Sequence, residues 1–108
     1  MEYRMTVSLL CELYHALLTD GQRDVITLYY DHDLSLREIA QLRGVTRTAV
    51  HSTLKRAEKV LEDYEARLGL LKAYGERRQV AAELEALLAS CDGEKKHKAM
   101  ALVRKLYS

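Results

Sequence analysis

The sequence contains no proline, phenylalanine or tryptophan and only 5 glycines. Proline and glycine disfavour helices most strongly, so their scarcity, together with 48% hydrophobic residues, favours an all-α fold. A chain of 108 residues is long enough to bury a modest core. Because phenylalanine and tryptophan are missing, that core has to be built from leucine, valine, alanine and the 7 tyrosines.

Long apolar runs, a secretory leader and a cysteine framework are also missing. No apolar run approaches the roughly 20 residues that a membrane helix needs, which argues against a membrane partner. Arg4 stands between Glu2 and Glu12, so the basic-then-apolar order of a signal peptide is not seen. Cys11 and Cys91 are too few to indicate a disulfide framework. We therefore expect a cytoplasmic protein with reduced thiols.

The net charge of +1 conceals an uneven distribution along the chain. Residues 43–59 and residues 94–108 each hold five basic residues and one acidic residue, whereas residues 1–42 and 60–93 are acidic. Two basic segments of this kind are typical of surfaces that bind a polyanion. The alternative is that both are ordinary solvated helix faces, which charge runs usually are.

Residues 35–61 have the pattern of two helices joined by a tight turn. Ser35 and Glu38 form a capping box that begins the first helix, and Gly44 supplies the left-handed conformation that ends it. Thr46 is the expected N-cap of the second helix. A short helix, a glycine-containing turn and a second helix indicate a helix-turn-helix motif, although an ordinary αα-hairpin would use the same residues for packing.

The segment before the motif is predicted to form two helices. Apolar residues recur at helical spacing over residues 4–18, and Thr19 begins a second capping box that opens a helix over residues 20–31. Tyr29 and Tyr30 lie on its apolar side. A tyrosine pair is able to stack on bases, but at this spacing we favour packing in the core.

The second helix of the motif is predicted to continue well beyond a compact helix-turn-helix. Apolar residues recur alternately every four and every three residues, which is a heptad seam. This seam contains Val50, Leu54, Ala57, Leu61, Tyr64, Leu68 and Leu71. The helix is therefore expected to run from residue 47 to the high sixties, with a break or bend at Gly69 or Gly75. The seam packs either on the first two helices or on a partner.

The rest of the chain forms a separate part. Two amphipathic helices are predicted, over residues 70–89 and 94–107, with Asp92 as the cap of the second. Their apolar stripes have no obvious place in a small bundle, so we expect them to pack on each other or across a homodimer interface. This gives a helix-turn-helix domain over residues 1–68 and a C-terminal helical extension over residues 69–108.

The basic residues of the motif and of the tail are the candidate nucleic-acid contacts. In helix-turn-helix proteins the second helix enters the major groove with its N-terminal residues leading. Arg47 suits a two-pronged contact with guanine, and the other side chains suit phosphates or base edges. The candidates are Arg43, Arg47, Thr48, His51, Ser52, Lys55, Arg56, Lys59, Lys95, Lys96 and Lys98. RNA recognition or a protein-docking role for the same helix stays open.

Two longer matches indicate a family. The stretches LLTDGQRDVITLYYDHDLSLREIA and GVTRTAVHSTLKRAEKVLEDYEARLGL resemble the YlxM family of small bacterial helix-turn-helix proteins, and the likeness covers about Met5 to Arg78. Within them, LREIA and GVTR are also similar to the C-terminal promoter-binding domain of sigma factors.

The YlxM resemblance implies an all-helical protein with a regulatory role in the signal recognition particle pathway. It further implies association with the GTPase of the particle and with its small cytoplasmic RNA. The sigma-like segment implies nucleic-acid-binding ancestry through Arg47, Thr48, His51 and Ser52.

Nothing in the sequence favours an enzyme. No glycine-rich phosphate loop follows a strand, and Cys11 and His15, four residues apart, lack a third metal ligand. We therefore expect no cofactor. The favoured function is an accessory of the signal recognition particle that binds its RNA or its GTPase, the alternative being a DNA-binding transcription regulator. A protein-only interaction module is the third hypothesis.

Overall fold

The structure is a computed structural model that describes residues 2–106, and every regular element in this range is helical. The elements are α1 (Tyr3–Tyr14), a 3₁₀ turn (His15–Leu17), α2 (Asp20–Ile26), a π-helical turn (Thr27–Asp31), α3 (Leu36–Arg43), α4 (Arg47–Leu68), α5 (Leu70–Leu88) and α6 (Glu94–Lys105). The predicted all-α fold is confirmed. The described residues divide after Gly69 into two compact units, the first with α1 to α4 and the second with α5 and α6.

The turn between α3 and α4 has the geometry that the sequence predicts. Gly44 adopts φ 67°, and the backbone N–H groups of Gly44 and Val45 both donate to the carbonyl of Ala40. Thr46 then caps α4, because its hydroxyl accepts a hydrogen bond of 3.0 Å from the backbone N–H of Ala49. Helix α3 therefore ends and α4 begins within three residues, which fixes the direction in which α4 leaves α3.

Replacement of Gly44 by alanine should destabilise the first unit. No atom lies within 4 Å of the position that a Cβ would take, so the cost comes only from the left-handed backbone. We expect a loss of about 1–2 kcal/mol in the free energy of unfolding, measured by urea titration. Gly44→Asn is the control, because asparagine tolerates this conformation. Equal stabilities for the two variants would contradict this account of the turn.

The capping box of α3 should make stability depend on acid pH. The side chain of Glu38 accepts a hydrogen bond of 3.0 Å from the backbone N–H of Ser35, and this bond lowers the pKa of the Glu38 carboxyl below its ordinary 4.5. A lowered pKa contributes stability above the ordinary value, and the contribution is lost as the pH falls through the folded value.

We therefore expect the unfolding free energy of the native chain to fall relative to that of Glu38→Gln as the pH drops from about 7 to about 3. Glutamine can keep the capping hydrogen bonds but does not titrate. Chemical denaturation at each pH measures the difference. Parallel pH curves for the two proteins would show that Glu38 is not a source of the acid sensitivity.

The first two predicted helices change helix type in their last turns. Helix α1 gives way at His15 to a 3₁₀ turn, in which the N–H of Leu18 bonds to the carbonyl of His15. Helix α2 widens at Thr27 into a π-helical turn, where the N–H of His32 bonds to the carbonyl of Thr27. The predicted helix ends near residues 18 and 31 agree with the structure, whereas the change of helix type was not predicted, because periodicity does not distinguish an α-turn from tighter or wider turns.

The core of the first unit lies around the N-terminal two thirds of α4. Helices α1, α2 and α3 all pack against α4. The buried side chains include Val7, Leu10, Tyr14, Val25, Ile26, Ile39, Val50, Leu54, Ala57 and Leu61. The first four seam residues thus pack within their own chain, whereas Tyr64 is half-buried and Leu68 is exposed.

The second unit is a hairpin of α5 and α6 with a thin core. Gly69, in the left-handed conformation, ends α4, and Gly75 lies inside α5 without interrupting it. Within this unit's described residues only Ala81 and Val103 are buried. Leu102 in α6 and Leu106 directly after it are 63% and 48% exposed, so part of the apolar stripe of this helix is uncovered.

The start and end of α6 also differ from the prediction. Gly93, with φ 90°, takes the N-cap position expected for Asp92, and no side chain caps the helix. The left-handed backbone there favours glycine over aspartate. Helix α6 ends at Lys105, and Tyr107, the end of the predicted helix, lies outside the described residues. Homodimer formation stays a prediction, which sedimentation equilibrium at tens of micromolar would test.

Candidate nucleic-acid interface

The N-terminal part of α4 presents most of the predicted contact residues to solvent. Because α4 buries Val50, Leu54 and Ala57 on its inner side, the polar residues between them lie on its flanks and outer side. Exposed are Arg47, Thr48, His51, Lys55, Arg56 and Lys59. Ser52 is half-buried. The structure thus brings these seven candidates together on one helix.

These basic side chains differ in whether their charge is already paired. Lys55 lies 3.3 Å from the Glu58 carboxylate, and Lys59 lies 3.7 Å from that of Asp63. Within residues 2–106 the guanidinium groups of Arg47 and Arg56 have no ion-pair or hydrogen-bond partner. Arg47 and Arg56 are therefore the two arginines of this surface that are available to phosphates or base edges.

Arg47 occupies a position that does not favour folding. It is the first residue of α4, and the first turn of this helix has no acidic residue. The helix dipole places partial positive charge at this end, so a cation here costs a few tenths of a kcal/mol and an anion is attracted. The positive side chain of Arg47 and the free backbone N–H groups of the first turn both attract an anion.

Two other candidates already have internal partners. Arg43 pairs with Asp24 at 3.0 Å and so joins α3 to α2. In the second unit Lys96 is half-buried and donates a hydrogen bond of 3.4 Å to the carbonyl of Ala89, whereas Lys95 and Lys98 are exposed. Arg43 and Lys96 thus already contact other parts of the chain. To bind a nucleic acid they would have to give up these contacts or share them with a phosphate.

A cleft lies beside α4 that the sequence does not reveal. It has a volume of about 470 Å³ and is bounded by α1, the π-helical turn, α3 and α4. We call it the α4 cleft. Its lining includes Tyr3, Arg4, Tyr29, Tyr30, Leu36, Arg47, His51, Lys55 and Glu58. Three predicted contact residues, Arg47, His51 and Lys55, therefore form one wall of a concavity.

The floor of the α4 cleft contains the buried carboxylate of Glu58. Among the residues described, Glu58 is the one buried charged side chain. Its Oε1 atom accepts a hydrogen bond of 2.6 Å from the Tyr30 hydroxyl, and its Oε2 atom accepts bonds of 3.4 Å from Tyr3 and 3.3 Å from Lys55. These donors satisfy a group that would otherwise be costly to bury.

The tyrosine hydroxyls of this network stay protonated at neutral pH. Burial, with the nearby Glu58 carboxylate, raises the pKa of Tyr3 to about 12. Burial and the hydrogen bond to Glu58 also raise the pKa of Tyr30. The Tyr30 hydroxyl therefore donates to Glu58, whereas the Tyr3 hydroxyl shares its one proton between Glu58 at 3.4 Å and Glu62 at 3.2 Å.

Arg4 forms the opposite wall of the α4 cleft. Its Nη2 atom donates to the Tyr29 carbonyl at 3.0 Å and to the Asp33 carboxylate at 2.6 Å. The guanidinium carbon lies 5.3 Å and 5.1 Å from the ring centroids of Tyr29 and Tyr30. Tyr29 and Tyr30 are half-buried and contact Arg4, so they are neither fully packed in the core nor free to stack on bases with both faces. Sequence reasoning missed Arg4 because its partners are 25 to 29 residues away.

In the part of the chain from residue 2 to residue 106, no three histidine, cysteine or acidic side chains are grouped to hold a metal ion. None of the helices described is long and apolar enough to cross a bilayer.

Comparison with known proteins identifies the family. Residues 1–102 match the profile of the UPF0122 family, described as "Putative helix-turn-helix protein, YlxM / p13 like". The chain is 42% identical over 106 residues to the UPF0122 protein GK1195 of Geobacillus kaustophilus, a match that covers 98% of this chain and 96% of the relative.

Two other relatives match fewer residues of the chain but have a higher sequence identity over them. The UPF0122 protein of Clostridium botulinum is 51% identical over 72 residues, which are 67% of this chain and 66% of the relative. That of Desulforamulus reducens is 48% identical over 82 residues, or 76% and 70% of the two chains. The chain is therefore a member of the UPF0122 family of YlxM/p13-like helix-turn-helix proteins.

Proposed function

We propose that this cytoplasmic protein binds RNA through the basic surface of α4 and acts as a non-enzymatic regulator in the signal recognition particle pathway. The observation that carries nucleic-acid binding is the exposure of Arg47 and Arg56 on the second helix of the motif, where neither has an ion-pair or hydrogen-bond partner among the described residues. The particle RNA and the particle GTPase enter as partners through the YlxM resemblance of residues 5–78. Membership of the helix-turn-helix family is consistent with this function.

Direct binding measurements test the proposal. Fluorescence anisotropy with the labelled particle RNA should give tighter binding than with a DNA duplex of equal length at the same salt concentration. The logarithm of the association constant should fall linearly with the logarithm of the salt concentration, because bound counterions are released from the phosphates. Absence of binding to both ligands would overturn the nucleic-acid function.

DNA binding is the second candidate, and the geometry of the motif favours it. A short helix, a tight turn and a second helix led by Arg47 is the arrangement that enters the major groove of DNA. The deep, narrow major groove of RNA does not admit a helix in the same way. Tighter binding to a DNA duplex than to the particle RNA would therefore favour a transcription regulator.

Association with the particle GTPase has a separate test. The tagged protein is used to capture partners from a bacterial lysate with and without nuclease. If the contact is direct, the GTPase stays bound after nuclease treatment. If the GTPase disappears together with the RNA, the RNA alone joins the two proteins.

The contribution of α6 is tested by removing two charges. Lys95→Gln with Lys98→Gln should weaken RNA binding and reduce the salt slope by about one for each phosphate that the protein no longer touches. Both side chains are exposed, so the change should not disturb the fold. Arg104→Gln with Lys105→Gln, at the other end of α6, removes the same charge. Equal effects of the two pairs would indicate general electrostatic attraction rather than a contact at Lys95 and Lys98.

A further inference from the structure

We propose that the α4 cleft binds one unpaired nucleotide, from a bulge or a loop of the nucleic acid that α4 contacts. This inference rests on the proposed nucleic-acid function and specifies which feature of the ligand the protein reads. A helix-turn-helix surface alone would contact paired segments. The α4 cleft lies beside that surface and shares Arg47, His51 and Lys55 with it.

The size of the α4 cleft excludes a duplex but suits a single nucleotide. Its volume of about 470 Å³ falls in the ~300–1,000 Å³ range of sites for small molecules. A paired base cannot enter such a space, because its partner strand would have to follow. An extruded base can enter while the flanking phosphates remain at the exposed surface of α4.

The wall formed by Arg4 offers a flat surface for a base. The guanidinium group of Arg4 is held by Asp33 and by the Tyr29 carbonyl, so its plane is fixed while its side chain remains 42% exposed. The rings of Tyr29 and Tyr30 support it, with their centroids 4.9 Å apart in an edge-to-face arrangement. Unpaired bases commonly stack on aromatic rings and on arginine planes.

The wall formed by α4 offers positive charge for the phosphate. Arg47 and His51 are exposed and without a described partner, and Lys55 is oriented by its contact with Glu58. The Glu58 carboxylate is directed at the two tyrosine hydroxyls and at Lys55, which places it at the floor rather than at the entrance. The α4 wall is therefore positive, while the lining also contains the Glu58 carboxylate, which already accepts hydrogen bonds from three donors.

The test uses a hairpin with a single bulged 2-aminopurine and a matched hairpin in which the same base is paired. Wild-type protein should bind the bulged RNA about 5- to 150-fold more tightly, the range expected when one base stacks. The fluorescence of the bulged 2-aminopurine should change on binding. A DNA hairpin with the same bulge shows whether the unpaired nucleotide is taken from RNA only or from either nucleic acid.

Two variants locate the effect in the α4 cleft. Leu36→Trp fills the cleft without changing charge and should abolish the preference for the bulge, while binding of the paired hairpin persists. Leu42→Trp is the control, because Leu42 lies on the same helix, is 70% exposed and does not line the cleft. Arg4→Lys keeps the charge beside Asp33 but removes the flat group, so it should reduce the preference at least about 5-fold.

The outcomes separate this inference from the proposed function. A wild-type protein that binds paired and bulged hairpins equally, with no effect of Leu36→Trp, would overturn the inference but leave nucleic-acid binding by α4 in place. A protein that binds no hairpin at all would overturn both. Circular dichroism of each variant shows whether weaker binding reflects unfolding. If Leu36→Trp is unfolded, the inference is tested by Arg4→Lys, which has to reduce the preference for the bulged hairpin.

Discussion

Arg47→Glu combined with Arg56→Glu is expected to weaken nucleic-acid binding by at least ~150-fold, because each arginine contact with a phosphate or base edge contributes about 1.5–3 kcal/mol. Neither guanidinium group has an ion-pair or hydrogen-bond partner among residues 2–106, so the replacement breaks no such contact within that range. Glutamate in the first turn of α4 should even raise the stability of the helix by a few tenths of a kcal/mol, because it opposes the positive end of the dipole. Weaker binding with unchanged or higher stability would be hard to attribute to misfolding.

The matched control is Arg67→Glu. Arg67 is exposed in the last turn of the same helix, so its replacement makes, away from the proposed surface, the same change in charge as the single variant Arg47→Glu or Arg56→Glu. We expect an effect of less than about 3-fold, due only to the altered net charge. Anisotropy titrations at two salt concentrations measure all the variants. An Arg67 variant as weak as either single variant would contradict a surface at the beginning of α4.

Leu61→Ala is expected to give the largest loss of stability, about 2–5 kcal/mol in the free energy of unfolding. Leu61 has no solvent exposure, and it lies on α4, against which the other helices of the first unit pack. Alanine would leave a cavity that the surrounding helices can fill only partly. A protein of this size has only ~5–15 kcal/mol of stability, so the variant should be partly unfolded at physiological temperature.

The control for the core is Leu42→Ala. It makes the same chemical change at a side chain that is 70% exposed, and we expect an effect of at most ~0.5 kcal/mol. Urea unfolding followed by circular dichroism measures both variants. If the two leucines gave similar decreases in stability, the seam would not be packed within the chain, and Leu61 would have to be part of an interface.

The local structure of the motif could be predicted because each signal depends on neighbours in sequence. Ser35 and Glu38 cap α3 as expected, Gly44 takes the left-handed conformation, and Thr46 caps α4. These interactions span no more than five residues. The heptad seam also predicts the side of α4 that is buried, up to Leu61.

The site was predictable only in part. The spacing of α4 identifies the exposed positions, but it does not show that Arg43 is paired with Asp24 while Arg47 and Arg56 have no such pair in the part of the chain that the structure describes. Nor does it show that Arg4 contributes to the same site. Those distinctions depend on which side chains from α1 and α2 approach α3 and α4 in the folded chain.

The sequence by itself determined where helices begin, where the chain turns and which residues are basic, because capping, glycine conformation and charge act over one or two helical turns. Only the tertiary structure decided that the π-helical turn and Arg4 come to lie beside α4 and form a cleft over Glu58. The physical reason is that residues far apart in sequence meet only after the core around Leu61 has packed, and their charges and rings then act on one another at 3 to 6 Å.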